Sequence, residues 1–390
     1  MGWPGMGMDV DADAQSVHGN DGACRGSRDG LSHLTWNACM TPSFYPQLVN
    51  DEFGDPGLYV EVRWSRRALL FDLGENIALS PSRLLRAQDI FISHTHMDHF
   101  IGFDRLIRIA LGRGKHLRLH GPPGLIENIQ GKLRGYTWNL VDGYPLTLEV
   151  KEYHPAHMQQ AHFHAKDAFT CQRHTPVPGD HSHIFTVLQE PALFVKAVAL
   201  NHRIPSLAFA LEEPFHININ KTRLHEAGLP VGSWLKDVKQ LIWNGAPNSH
   251  TFSATLYFEH RKEERTFDVG TLKRQFTTIT RGQKIAYVVD CRYDADNEQR
   301  IIQLCRGADT LFCEAPFLEA DRGKAADRYH LTAHQAGILG RKAEVQQLVV
   351  FHFSPRYTGE GDRLQHEAMQ AFYENNKHNT GRNNAGMGEI

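Results

Sequence analysis

Three histidines and an aspartate stand within six residues, directly after a predicted buried strand. The strand covers residues 89–92, and the sequence HTHMDH follows from His94 to His99. Alternate side chains at a strand tip point the same way, so His94 and His96 can reach one metal ion. Asp98 and His99 lie where the turn opens a helix, and they can reach a second ion. Imidazole and carboxylate ligands suit zinc, and also manganese or iron.

Four further predicted strands each end in a histidine or an acid. These residues are His202 after strand 193–200, Asp290 closing strand 284–290, Glu314 closing strand 310–314, and His352 after strand 347–351. In open α/β sheets, binding sites assemble at the carboxyl ends of the strands. We therefore expect the four side chains to join the HTHMDH loop in one site.

The HTHMDH stretch resembles the HxHxDH signature of the metallo-β-lactamase superfamily. This resemblance implies an α/β protein with an αββα sandwich and a two-metal site at the sheet edges. It also implies which residues bind the ions. His94, His96 and His202 are expected to bind one ion, and Asp98, His99 and His352 the other. Asp290 is expected to bridge the two. Two Zn²⁺ ions are expected, with Mn²⁺ or Fe²⁺ as alternatives, and a bridging hydroxide is the expected nucleophile. The FDLG stretch resembles the first superfamily motif, in which Asp72 supports the metal loop from behind.

Two other stretches resemble ribonuclease Z, a phosphodiesterase group of this superfamily. They are HFSPRY at 352–357, and CEAPF at 313–317 together with RYHLTAHQAG at 328–337. The likeness implies that Glu314 orients and charges His330, which donates a proton to the leaving alkoxide. Asp98, Glu314 and His330 are thus the expected catalytic residues. The implied substrate is an RNA phosphodiester at the 3′ trailer of a tRNA precursor, and the implied assembly is a homodimer.

Composition divides the chain into predicted regions. Residues 1–33 hold few large apolar side chains and are predicted to form a disordered leader, while 377–390 form a flexible tail. Between them, 34–376 form the hydrolase domain. Within it, 151–184 are His-rich and are predicted to be a polar surface insertion rather than a metal-binding tract. Residues 221–281, with ten Lys/Arg against six Asp/Glu, resemble the ribonuclease Z substrate arm at GLPVGSWL.

Overall charge and cysteine usage exclude several classes of protein. A net charge of −2 over 390 residues gives no general attraction to nucleic acid or anionic membrane, so any polyanion must bind a local patch. The six cysteines form no CxxC pair, which argues against a zinc ribbon and a secreted disulfide scaffold. No signal peptide or membrane span is evident. The sequence predicts a cytoplasmic protein with no membrane partner.

The substrate stays open between RNA and a small phosphodiester such as a cyclic nucleotide. The chain reads FDLGENIAL where ribonuclease Z continues as FDCGEGTQ, a difference that concerns RNA specificity rather than metal chemistry. Another metallo-β-lactamase-fold hydrolase, such as a lactamase or a glyoxalase-type thioesterase, is compatible with the fold alone. A non-catalytic binding protein is the remaining alternative, although such proteins usually lose ligands and none is missing here.

Overall fold

The structure, a computed structural model, describes residues 42–179 and 183–374, and all of these belong to the unit Thr41–Ile390. The predicted leader 1–33 and the predicted tail 377–390 lie outside the described residues. Among the helices that are described, none combines the length and the apolar character needed to span a bilayer.

The first half of the chain builds a mixed sheet covered by helices. Its strands are β1 (Phe44–Leu48), β2 (Leu58–Val62), β3 (Ala68–Phe71), β4 (Ala87–Phe91), β5 (His116–Gly121), β6 (Thr147–Tyr153), β7 (His157–His164), β8 (Gln172–Arg173) and β9 (Val177–Pro178). Its helices are α1 (Pro81–Leu84), α2 (Met97–Phe100), α3 (Phe103–Ala110) and α4 (Leu125–Arg134). The strands follow one another in chain order from β1 to β8, with β9 beside β7. Strands β3 to β6 are parallel, and the outer pairs are antiparallel.

The second half builds a second sheet, interrupted by the predicted arm. Before the arm come β10 (Ile184–Glu190), β11 (Leu193–His202) and β12 (Ile204–Glu212). The structure starts the arm a few residues before the predicted 221–281. The arm holds β13 (His216–Ile219), α5 (Lys221–Glu226), α6 (Trp234–Trp243), β14 (Thr251–Tyr257), β15 (Lys262–Asp268), α7 (Val269–Phe276) and β16 (Thr277–Thr280). After it come β17 (Lys284–Val288), α8 (Ala295–Cys305), β18 (Thr310–Glu314), α9 (Arg322–Arg328), α10 (Ala333–Lys342), β19 (Gln347–Phe351) and α11 (Gly361–Tyr373). The strand order of this sheet is β10-β11-β12-β17-β18-β19.

The central strands of both sheets are buried on both faces, which explains their continuous apolar sequences. In β17, Ile285 and Tyr287 join an apolar layer between the two sheets. Ala286 and Val288 point the other way and join a layer with residues of α8, α10 and α11. The first sheet packs in the same manner against α3 and α4. The layers therefore run helix, sheet, sheet, helix, and the predicted αββα sandwich is confirmed.

The arm folds around an apolar cluster of its own. Trp234 and Val238 of α6 pack with Leu256 of β14 and Leu272 of α7. Strand β14 pairs with β15, and β13 pairs with β16 at the base of the arm. The arm is therefore a small folded unit of three helices and two strand pairs.

The His-rich segment 151–184 differs from the predicted surface insertion. Strand β7 pairs antiparallel with β6 inside the first sheet, and its Ala161 and Phe163 are fully buried. His162 and His164 alternate with them and are half-buried. The segment is thus part of the sheet, and its polar composition hides a strand because only alternate residues face the core. Among its described residues, no histidine belongs to a cluster of three or more ligand-type side chains.

Candidate metal centre

Strand direction brings four distant residues to one edge of the second sheet. Strand β11 is antiparallel to β12, and β12 is antiparallel to β17, so β11 runs in the same direction as β17, β18 and β19. The carboxyl ends of these strands carry His202, Asp290, Glu314 and His352, which therefore meet. The HTHMDH loop joins them because Leu207 N, in β12, donates to the Ser93 carbonyl at 2.9 Å.

The loop is fixed from behind by Asp72, as the sequence predicted. Its Oδ1 accepts the Ser93 amide at 2.7 Å, and its Oδ2 accepts the Ser93 hydroxyl at 2.8 Å. The same Oδ2 accepts His99 Nδ1 at 2.8 Å and the Tyr287 hydroxyl at 3.0 Å. Asp72 is buried and has φ +59°, a conformation that aspartate tolerates better than most residues. This buried carboxylate is therefore fully hydrogen-bonded and holds the loop rigidly.

The two carboxylate oxygens of Asp290 face different pairs of histidines. Oδ2 lies 3.6 Å from His94 Nε2 and 3.3 Å from His202 Nε2. Oδ1 lies 3.3 Å from His99 Nε2 and 3.1 Å from His352 Nδ1. Asp290 is 2% exposed and has φ +41°, so the surrounding structure imposes its position. One buried carboxylate thus stands between two groups of nitrogen donors.

His96 and Asp98 complete the two groups. The His96 ring lies 4.4 Å from the His94 ring and 5.1 Å from the His202 ring. Asp98 Oδ2 lies 3.4 Å from His352 Nε2. The structure therefore brings together all seven residues predicted to hold metals, in two clusters that share one aspartate. The clusters are His94, His96, His202 and Asp290, and Asp98, His99 and His352 beside that same Asp290.

Several buried polar atoms at this centre have no hydrogen-bond partner in the part of the chain that the structure describes. They are Nε2 of His94, Nε2 of His99, Nδ1 of His352 and Oδ1 of Asp290. The other ring nitrogen of His94 is held by Ser93 Oγ at 3.0 Å, and that of His99 by the carboxylate described above. A histidine that binds a metal usually has a hydrogen-bond partner on one ring nitrogen, while its other ring nitrogen points toward the metal. The donor set and its burial therefore fit a pair of divalent cations.

Electrostatic coupling sets the protonation of these groups. Burial, together with the neighbouring His99, lowers the pKa of His94 to about 2, so its imidazole is neutral at pH 7. Burial alone would also lower the pKa of His99, but the carboxylates of Asp290 and Asp72 outweigh it and raise that pKa to about 10. Burial would raise the pKa of Asp290, yet the surrounding histidines hold it well below its usual range. Asp290 is therefore an anion that draws positive charge to itself.

Glu314 and His330 form a separate hydrogen-bonded pair beside the centre. Glu314 Oε2 accepts from His330 Nδ1 at 2.8 Å, and Oε1 accepts the Cys291 and Leu331 amides, each at 3.1 Å. These two residues also lie within ligand distance of Asp290 and His352. Because both Glu314 oxygens are already hydrogen-bonded, the pair is an orienting device rather than a third metal site. Burial lowers the pKa of His330, but Glu314 outweighs it and raises that pKa.

The helix after His330 fixes where the pair lies. Thr332 caps α10 in a capping box with Gln335. Sequence reasoning missed Ser93 and Tyr287, which hold Asp72. The signal for Tyr287 was weak but present, because it is the one polar aromatic side chain inside the apolar strand KIAYV.

The αββα sandwich, with a histidine and aspartate centre at its strand ends, defines the class: this is a metallo-β-lactamase-fold hydrolase. No protein-family model matches the chain. It is 30% identical over 312 residues to ribonuclease Z of Deinococcus radiodurans, covering 79% of this chain and 88% of that protein. It is 27% identical to ribonuclease Z of Bacillus velezensis, covering 80% and 86%. The chain belongs to the ribonuclease Z family, and it is therefore a metal-dependent endoribonuclease.

Two solved structures are also similar. The short form of human tRNase Z has a TM-score of 0.45 and 19% identity, covering 81% of this chain and 93% of that one. The metallo-β-lactamase-fold protein YhfI from Bacillus subtilis has a TM-score of 0.47 and 13% identity, covering 84% and 92%. Because both TM-scores are below 0.5, the fold is defined by the strand order and the four layers described above.

Proposed function

We propose that this protein is a dinuclear metal-dependent phosphodiesterase that removes the 3′ trailer of a tRNA precursor and leaves a 3′-hydroxyl. The observation that carries the proposal is the position of Asp290, whose two oxygens face separate pairs of histidines at 3.1 to 3.6 Å. A carboxylate in that position suits two cations because its negative charge offsets their mutual repulsion. The ribonuclease Z name of the relatives supports RNA as the substrate.

The proposed ligands divide between two ions. His94, His96 and His202 would hold one, Asp98, His99 and His352 the other, and Asp290 both. Zinc is the proposed metal, with Mn²⁺ or Fe²⁺ as alternatives. Two such cations supply Lewis acidity and a water that ionises near neutral pH.

The Glu314–His330 pair would handle the proton of the leaving group. Glu314 holds His330 Nδ1, so the imidazole can carry a second proton on Nε2 and donate it to the leaving alkoxide oxygen. Glu314 cannot rotate freely, since two backbone amides hold its other oxygen. The pair would therefore deliver its proton from a fixed direction.

The arm 221–281 would contact the RNA away from the cut. Near its hairpin tip, the Arg261 guanidinium lies 5.0 Å from the Phe258 ring, and Tyr257 is 68% exposed. Aromatic and cationic side chains together suit a nucleic-acid backbone. We extend the proposal to a cytoplasmic homodimer in which the arm of one subunit serves the other. Sedimentation of the purified protein at the monomer mass would contradict that assembly.

Cleavage of a precursor tRNA with a 3′ trailer tests the proposed function. The purified chain should cut it, lose activity with a chelator, and regain activity with Zn²⁺ or Mn²⁺. Asp290→Asn should abolish cleavage. Glu344→Gln, at a residue whose side chain is 74% exposed, is the matched control and should behave like wild type. Hydrolysis of bis(p-nitrophenyl) phosphate or a cyclic nucleotide, without any cleavage of precursor tRNA, would overturn the RNA substrate and favour a small phosphodiester.

A further inference from the structure

Two arginines beside the metal centre lack an acidic partner. Arg203 directly follows His202, and Arg292 lies two residues after Asp290. Both side chains are exposed, and neither forms an ion pair with a carboxylate among residues 42–179 and 183–374. Arg356, four residues after His352, has by contrast a guanidinium nitrogen 3.8 Å from a carboxylate oxygen of an aspartate. The positive charge of the first two is therefore available to an external anion.

Both arginines lie against the ring of Tyr329. The guanidinium carbon of Arg203 is 4.9 Å from the ring centroid, and that of Arg292 is 5.3 Å from it. Contact with an aromatic ring holds a guanidinium in orientation while its N–H groups stay free to bind. The backbone of Tyr329 is tied to the metal centre, because its carbonyl accepts His202 Nδ1 at 2.8 Å. Tyr329 also has φ +61°, which a bulky residue adopts only when its surroundings impose it.

A buried amide ties the two arginine-bearing loops together. Asn297 is 1% exposed, and its Nδ2 donates to the Arg292 carbonyl at 2.8 Å and to the Asn201 carbonyl at 3.2 Å. Its Oδ1 accepts the Asn201 amide at 3.0 Å. Arg203 Nη2 donates to the Asp327 carbonyl at 3.2 Å, in the last turn of α9 just before Tyr329. The two arginine-bearing loops are therefore held together before any ligand arrives, and the Arg203 guanidinium is hydrogen-bonded as well. This lowers the entropy cost of binding.

We propose that Arg203, Arg292 and Tyr329 form a subsite for one backbone phosphate of the RNA strand next to the scissile phosphodiester. A guanidinium binds phosphate oxygens through two parallel N–H donors, and two guanidinium groups against one ring suit a single phosphodiester monoanion. The metal centre would bind the reacting phosphate, so the two arginines are available to bind a neighbouring phosphate of the strand. The inference rests on the proposed function and specifies how the strand is positioned.

Substrates with one phosphate and with many phosphates test the subsite. We expect Arg203→Gln and Arg292→Gln each to lower kcat/KM on precursor tRNA about tenfold, mainly through KM, since a charged hydrogen bond is lost. On bis(p-nitrophenyl) phosphate, which has a single phosphate, the loss should be less than about threefold. The logarithmic salt dependence of tRNA binding should become shallower by about 0.7 for each contact removed. Arg203→Lys and Arg292→Lys should lower kcat/KM by an intermediate amount, because lysine keeps the positive charge but lacks the two parallel N–H donors of the guanidinium.

Arg63→Gln is the matched control. Arg63 also lies against a tyrosine ring, 5.9 Å from the Tyr45 centroid, and it lacks an acidic partner in the same described ranges. It follows β2, which is antiparallel to β3, so it stands at the edge of the first sheet opposite to the centre. Its variant should keep the wild-type kcat/KM and salt dependence on precursor tRNA, and it should also match wild type on bis(p-nitrophenyl) phosphate.

Each outcome decides a separate point. A wild-type chain that never cuts precursor tRNA would refute the proposed function. If wild type cuts it and both glutamine variants keep the wild-type KM and salt dependence, only the subsite is overturned. Equal losses on both substrates would also overturn it, because the arginines would then act on the reacting phosphate or on folding. Unchanged metal content in both variants is expected, and a loss of metal would assign them a structural role.

Discussion

Replacing His330 with alanine separates proton donation from metal binding. The ring is 19% exposed and Glu314 accepts its Nδ1, so water can fill the space and hydrogen-bond the carboxylate that remains. None of the contacts that Asp290 makes to the other four histidines is removed. The variant should therefore keep the metal content of the wild type. A positioned general acid contributes about 10²- to 10⁴-fold to the rate, which corresponds to about 3 to 5 kcal/mol.

The basicity of the leaving group distinguishes proton donation from other effects of the substitution. The sugar alkoxide of RNA is a strong base and needs a proton, whereas p-nitrophenolate leaves without one. We expect His330→Ala to lower single-turnover cleavage of precursor tRNA by about 10²- to 10⁴-fold, and hydrolysis of bis(p-nitrophenyl) phosphate by less than about tenfold. Elemental analysis of both proteins provides the control for metal. Equal losses on the two substrates would refute the proton-donor role, and so would loss of metal from the variant.

Three further substitutions, the last of them paired with a control substitution, test the centre and its framework. Asp290→Ala should lose both ions by elemental analysis, and full retention of metal would contradict its bridging position. Asp89→Ala removes a buried carboxylate that pairs with two arginines. Urea denaturation should therefore show that the free energy of unfolding falls by about 3 to 5 kcal/mol. A fall of less than about 1 kcal/mol would show that these ion pairs do not stabilise the fold. A Cβ at Gly337 would collide with the carbonyl oxygen of Ala368, so Gly337→Ala should destabilise by about 1 to 3 kcal/mol. Gly323→Ala is the control, because open space surrounds the position of its Cβ, and it should leave the free energy of unfolding unchanged or slightly raised. If Gly337→Ala and Gly323→Ala changed the free energy of unfolding equally, the close packing of α10 and α11 would be refuted.

Local pattern explains which parts of the fold were predictable. Strand β17 was predicted because five adjacent residues, KIAYV, form a nearly continuous apolar run. Strand β7 was missed because its buried Ala161 and Phe163 alternate with histidine and glutamine, which resemble a surface segment in composition. The helices of the arm pack on β14 and on Trp64 as well as on one another, and such contacts between distant residues leave no local pattern in the sequence.

The same distinction applies to the centre. The HTHMDH loop is contiguous, and His202, Asp290 and His352 each follow a recognisable strand, so the sequence indicated that they could meet. Contacts between distant residues carry no such pattern. Asp72 and Tyr287 lie 215 positions apart, and their hydrogen bond depends on how the two sheets pack. The Arg203 and Arg292 contacts with Tyr329 likewise join three separate loops.

Anomalous diffraction at the metal absorption edge, from crystals of the full chain, tests the central claim most directly. Two peaks about 3.5 to 4 Å apart, one on each side of the Asp290 carboxylate, are the predicted result. The first should lie among His94, His96 and His202, and the second among Asp98, His99 and His352. A single peak, or peaks away from Asp290, would contradict a centre built around that aspartate.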